Sequence, residues 1–248
     1  MIEKDSGSIQ KQLARPGSTL QKYQRATVGR KGFLYLTGYE LILFGTGSLP
    51  GKLGSSLRAI FYSLLFQQAG NNLTIGKNCT MKRPHLLEVG NNVTLGENVS
   101  LDVKGDGLGI RIDDDVVVGQ DTIFSCPGGR ITLGKGTTIG RCCRLGSLQG
   151  LTVGRGCVIG DYTYIVGAGH KYDSLECSII DQPLTCKGSN NIGDNVNIGN
   201  EVTVLDGVQI GDNVHVASGS LVISDIPAGD RVSGVPARKG WELQNEHE

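Results

Sequence analysis

The chain has four histidines, His85, His170, His215 and His247. Histidine is the natural candidate to carry a proton near neutral pH, because its unperturbed pKa lies near ~6.5. His170 sits in the run Gly167-Ala168-Gly169-His170-Lys171-Tyr172-Asp173, where glycines and polar neighbours mark a loop. A base there could take a proton from a bound substrate. His215 directly follows Val214 in a regular repeat and reads as an outward side chain; His85 follows Pro84 with no partner to name; His247 lies in a polar tail. Asp173 reads equally as an orienting partner for the imidazole or as a turn cap. Cys177 and Cys186 share the segment with His170 and raise a Cys-His nucleophile, although small thiols are also common core residues. A zinc site would need three converging histidines. The spacing of His85, His170 and His215 offers no close pair, so no metal is expected.

The elements that position His170 follow from a six-residue period. Ile192, Ile198, Val204, Ile210, Val216 and Val222 recur without a slip, and Val196, Val202, Val208, Val214, Ser220 and Ile226 follow each by four positions. The same pattern runs upstream through Ile75, Val89, Leu95, Ile112, Val118, Leu133, Ile139, Leu145, Val153, Ile159 and Ile165. Six fits neither a helix at 3.6 nor a long strand alternating at 2. A short strand with its aliphatic residue inward, followed by a glycine- or Asn/Asp-rich corner, satisfies both the period and the turn chemistry. Three such faces make a triangular coil, and stacked coils bury one continuous core. The expected fold is therefore an all-β parallel β-helix over residues 73–228. The period stops over 166–191, which is read as an inserted loop. Shorter breaks fall from Met81 to Glu88, Lys104 to Arg111 and Ser125 to Arg130, with a slip near Leu151. Loops leaving a rigid scaffold are where function concentrates.

Residues 1–72 form an extension outside the repeat, and 229–248 form a tail. Residues 1–30 are polar and read as loosely packed. Leu53, Leu57, Ile60, Phe61, Leu64 and Leu65 fall at helical spacing, predicting an amphipathic helix over about 49–66. Such a helix either caps the open end of the β-helix, or packs on another subunit, or makes a peripheral membrane contact. The 38 glycines are roughly twice the ~7% of average usage and imply many tight turns. Lys plus Arg balance Asp plus Glu at 24 each, which argues against nucleic acid as a partner. Seven cysteines without a C-x-x-C pair suit reduced thiols in the cytoplasm, and the first thirty residues lack the apolar core of a secretory signal.

Together the leader LPGKLGSSLRAIFY, the isoleucine-glycine repeats, the loop GAGHKYD, Asp181-Gln182-Pro183 and the ending DIPAGDRVSGVPARKG resemble the bacterial hexapeptide-repeat acetyltransferases that O-acetylate sugars of surface polysaccharides. The resemblance covers about residues 50–239. It implies a left-handed β-helix, a homotrimer, and acetyl-CoA as co-substrate in a groove between subunits. It implies that His170 deprotonates the acceptor hydroxyl, which attacks the thioester directly, and that Gln182 shapes the acceptor site. Asn200, Ser218 and Gly219 match positions lining the cofactor groove, and Arg238, with Lys239 beside it, matches a basic residue that meets the nucleotide phosphate. The acceptor would be a sugar hydroxyl of a polysaccharide or a lipid-linked precursor, reached at the inner face of the membrane. Two departures stand out: Asn197 where the family often has tryptophan, and Ile223-Ser224 where it has Thr-Lys. They keep open the alternative of a non-catalytic β-helix scaffold or interaction subunit.

Overall fold

The computed structural model describes residues 2–4, 17–30, 32–105, 107–146 and 148–240. From Gln68 to Val222 the chain winds as a parallel β-solenoid of seven coils, each giving one short strand to each of three sheets. In the fourth coil these strands are Ile131–Leu133, Thr138–Ile139 and Arg144–Gly146, on what are here the first, second and third faces. The inward residues stack in register. Leu95, Val118, Ile139, Ile159 and Ile198 make one column on the second face, and all are buried. The glycine after the inward residue is a packing requirement: a Cβ on Gly199 would lie 2.5 Å from the backbone nitrogen of Ser218 in the next coil.

The corners explain the Asn/Asp content. Asn72, Asn92 and Asp115 all take left-handed φ values, between 56° and 59°, which Asn and Asp tolerate better than other non-glycine residues. Their side chains form a ladder, Asn72 Nδ2 donating to Asn92 Oδ1 at 3.0 Å and Asn92 Nδ2 to Asp115 Oδ1 at 2.8 Å. A second column holds small donors. Thr122 Oγ1 donates to the Gly140 carbonyl at 2.9 Å, Cys143 Sγ to Gly160 at 3.1 Å and Thr163 Oγ1 to Gly199 at 3.2 Å. Thiol and hydroxyl do the same job here.

Every break in the period falls at one corner. The six-residue step holds from Val89 to Leu95 to Leu101 and from Val153 to Ile159 to Ile165, on passing from the first face to the second and third. It fails only between the third face and the first, where extra residues leave the coil outward. Met81 is not part of a break: it is buried below Leu101 in the third-face column, an aliphatic slot filled by an unbranched side chain. The first coil begins at Gln68–Ala69, paired with Glu88 and Val89. The long insertion ends before the strand Asn190–Ile192. Asn190 occupies the slot that Leu151 fills in the previous coil. Though buried, it is satisfied, donating to the Leu205 carbonyl at 2.7 Å and accepting from Gly207 N–H at 3.1 Å.

Three helices close the open end before Gln68: α1 Thr19–Tyr23, α2 Phe33–Thr46 and α3 Gly51–Ser63. Of the polar segment expected to be loosely packed, residues 17–30 are ordered: Ser18 and Gln21 form a reciprocal cap on α1, and Val28 is fully buried. Residues 5–16 lie outside the described residues. In α3 the side that packs on the solenoid is Gly54, Arg58 and Tyr62, so Leu53, Ile60 and Leu64 of the apolar stripe read from the sequence face away, while Leu65 just past the helix is buried. Buried Arg58 donates to the carbonyls of Ile75 (2.9 Å), Thr46 (3.0 Å) and Leu49 (2.7 Å). Its charge sits on the orphan carbonyls at the C-terminus of α2, where cations are favoured. Among the described residues no helix is long and apolar enough to cross a membrane.

Candidate active site

The insertion leaves the third face after Ile165 and folds into a hairpin. Gly169–His170 pairs antiparallel with Leu184–Cys186, His170 opposite Leu184 and Gly169 opposite Thr185. The outer edge of Leu184–Cys186 takes the strand Ile2–Lys4, making a three-stranded sheet. His170 is thus on a strand, not on a free loop, and its side chain is exposed. Its Nδ1 lies 3.4 Å from the Gln182 carbonyl. With Nδ1–H donating there, Nε2 keeps its lone pair as an acceptor.

Gln182 is brought beside His170 through its backbone, while its side chain turns inward. It is almost fully buried; its Nε2 donates to the Ser174 carbonyl at 2.9 Å and its Oε1 accepts from Ser174 N–H at 3.3 Å. It closes the loop on itself. Asp173 pairs with Lys171 at 3.4 Å, and the imidazole contacts the Gln182 carbonyl. Cys186 is buried and burial raises its thiol pKa, which disfavours the nucleophilic thiolate. Ser174 and the strand Ile2–Lys4 went unnoticed in the sequence, since neither carries a motif.

Asn200, Ser218 and Gly219 do come together, in one column at the corner between the second and third faces. Asn200 Oδ1 accepts from Asp161 N–H at 2.8 Å, Asn200 N–H donates to Ser218 Oγ at 3.0 Å, and Gly219 N–H donates to the Asn200 carbonyl at 2.8 Å. Beneath them Asp161 is held below the usual carboxylate range, first by the Arg141 backbone N–H and then by its guanidinium. Gly219 has φ +71°, and a Cβ built on it meets nothing within 4 Å. The corner is open, so a ligand can approach the backbone closely. The chain then returns over the last coil, Arg231–Ser233 adding to the second face and Arg238–Lys239 pairing antiparallel with it. Arg238 is exposed, whereas Lys239 Nζ is paired with Asp230 at 2.6 Å. The insertion that carries His170 leaves the solenoid after a third-face strand, whereas Asn200 lies at the corner before one.

The other two described histidines are structural. His215 lies outward between Asn197 and Arg231 on the second face, and burial, then the Arg231 charge, lowers its pKa. His85 sits in the turn Pro84–Leu86 with its Nδ1 buried and without a hydrogen-bond partner; burial, then Arg30 and Arg83, lowers its pKa. Asn197 points outward, and Ile223 and Ser224 are exposed just past the last third-face strand.

Residues 191–224 match the family described as Bacterial transferase hexapeptide (six repeats). This stretch of the solenoid is thus built of hexapeptide repeats. No curated protein is similar to it in sequence. Among solved structures, a mutant of AntD, an N-acyltransferase from Bacillus cereus, in complex with dTDP and coenzyme A, is 19% identical over 81% of this chain and 93% of that one, with a TM-score of 0.54. AntD with dTDP and 3-hydroxybutyryl-CoA gives 20% identity over 73% and 86%, with a TM-score of 0.50. A hexapeptide-repeat acetyltransferase from Vibrio cholerae covers 95% of this chain and 99% of that one at 19% identity and a TM-score of 0.46. At these identities the likeness is one of fold.

Proposed function

We propose that this hexapeptide-repeat protein is an acyltransferase that moves an acetyl group from acetyl-CoA to a sugar hydroxyl of a surface polysaccharide or its lipid-linked precursor. The observation that carries the reading is His170, held on a hairpin strand with Nδ1 anchored on the Gln182 carbonyl. Nε2 takes the proton of the sugar hydroxyl as its oxygen attacks the thioester carbonyl. The tetrahedral oxyanion then collapses, the C–S bond breaks, and the departing thiolate takes up the proton from the imidazolium. A pantetheine arm fits the open backbone at Gly219 beside Asn200 and Ser218, and the exposed Arg238 suits a phosphate. Lys239 would reach that phosphate only by releasing Asp230.

In one chain the His170 insertion leaves at the corner after the third face and the Asn200 column lies at the corner before it. A homotrimer of left-handed β-helices resolves this, by setting the His170 hairpin of one copy against the corner column of the next. A cytoplasmic protein in peripheral contact with the inner face of the membrane would meet a lipid-linked acceptor.

Thiol release from acetyl-CoA with a panel of hydroxyl and amino sugars tests the reading. His170→Ala is expected to lower turnover about 10²–10⁴-fold with an unchanged thermal midpoint. If the native protein neither binds coenzyme A nor turns over, the exposed Asn197, Ile223 and Ser224 gain weight and a non-catalytic scaffold replaces the enzyme.

A further inference from the structure

The N-terminal cap is built with its apolar side outward. In α3, Gly54, Arg58 and Tyr62 face the solenoid, while Leu53 is 74% exposed, Ile60 61% and Leu64 71%. In α2, Leu36, Tyr39 and Thr46 face inward, while Leu34 is 87% exposed and Phe44 93%, with Phe33 and Leu41 beside them. A surface helix facing water carries charged residues on its outer side. Here the outer side of α2 has none: its one charged residue, Glu40, lies at the edge, where Tyr23 Oη donates to it at 2.5 Å. Monomeric soluble proteins rarely leave so many large apolar side chains together in water.

Charge decides what covers this face. From Gly17 to Phe66 the only acidic residue is Glu40, against Lys22, Arg25, Arg30, Lys31, Lys52 and Arg58. Arg58 is buried, but Arg30 and Lys52 are exposed, and Arg30 stacks on Tyr35 of α2 with its guanidinium 5.4 Å from the ring. A second copy of the cap would bring the same cations against these, with no carboxylate to meet them. An anionic lipid surface would take the apolar side chains into its interface and neutralise the cations.

We infer that the outer faces of α2 and α3 form one docking surface for an anionic bilayer, entered by Leu34, Leu41, Phe44, Leu53, Ile60 and Leu64. This deepens the peripheral contact in the reading above by naming the surface and the lipid charge. It does not depend on the chemistry at His170. In a trimer with cyclic symmetry, three such caps would face the same plane and bind together far more tightly than one.

Co-sedimentation of the full chain tests the inference, with vesicles of phosphatidylcholine alone and of phosphatidylcholine mixed with phosphatidylglycerol. The native chain is expected to pellet with the anionic vesicles and less with the neutral ones, and to be released by salt. Leu41→Ser with Phe44→Ser should weaken binding at least about tenfold, and Arg30→Glu with Lys52→Glu severalfold. Both variants should melt like the native chain and release thiol at the native rate with a water-soluble acceptor. A native chain that stays in the supernatant, or a Leu41→Ser/Phe44→Ser variant that pellets as before, overturns the proposal. So does light scattering in which that variant alone dissociates, since the face would then be an interface between copies. An inactive His170 would leave the vesicle result untouched, so the two readings fail separately.

Discussion

The solenoid and the insertion between Ile165 and Asn190 solve the same problem of order by opposite means. In the solenoid each inward residue is one of a column, and each corner repeats the chemistry of the corner below it. Phe124 is held by Leu101 beneath and Leu145 above, and losing one contact leaves the others. The insertion has no column. Its order rests on two buried side chains, Gln182 and Cys186, on a short antiparallel sheet completed by Ile2–Lys4, and on an exit through a buried asparagine. Stability is thus concentrated where nothing reacts, and the histidine fit for chemistry sits where few contacts hold it. Binding loops are drawn from the low-stability part of a fold for this reason.

The contrast can be broken from either side. Phe124→Ala opens a cavity in a closed column and is expected to destabilise the fold by roughly 3–5 kcal/mol, seen as a lower midpoint in denaturant, with the surviving folded protein keeping its turnover. Gln182→Ala should leave that midpoint within about 1 kcal/mol yet loosen the Gln182 carbonyl from His170. Turnover should drop about tenfold or more while the KM for acetyl-CoA holds; an unchanged turnover would mean that the hairpin alone positions the imidazole. The smallest effect belongs to His85, at the junction of cap and solenoid. Its folded pKa lies below the ordinary 6.5, so the unfolded chain binds the proton first as pH falls. The stability that the neutral ring supplies is complete above about pH 6.5 and declines below it. Denaturant melts from pH 7.5 to 5 should show that slope, and His85→Gln should lessen it, leaving the part that His215 supplies through its own lowered pKa.

Much of the scaffold was legible because it is periodic. A column residue announces itself by recurring, and the inserted segment was visible as a gap in the recurrence. Met81 escaped because its unbranched side chain departs from the branched aliphatic residues that mark the period, and Asn190 because a satisfied buried amide looks like a corner residue in the sequence. His170 was legible from its isolation in the gap. Its partner was not, since a backbone carbonyl leaves no trace in residue identity, and the glutamine that presents it acts with its side chain elsewhere. In the leader the apolar spacing was correct for a helix, but which side turns inward was set by Arg58, whose guanidinium had three carbonyls to satisfy.

The column of small donors also has a consequence for oxidative chemistry. Cys79, Cys143 and Cys157 each spend their S–H on a carbonyl of the next coil, and burial raises all three thiol pKa values, that of Cys79 to about 11. Thiolate is the form that oxidants and electrophiles attack. Of the seven thiols, only Cys142 and Cys177 lie outside the buried interior. A cell under oxidative stress would therefore modify the corner at Cys142 and the insertion at Cys177 first, leaving the core chemically silent until its coils part.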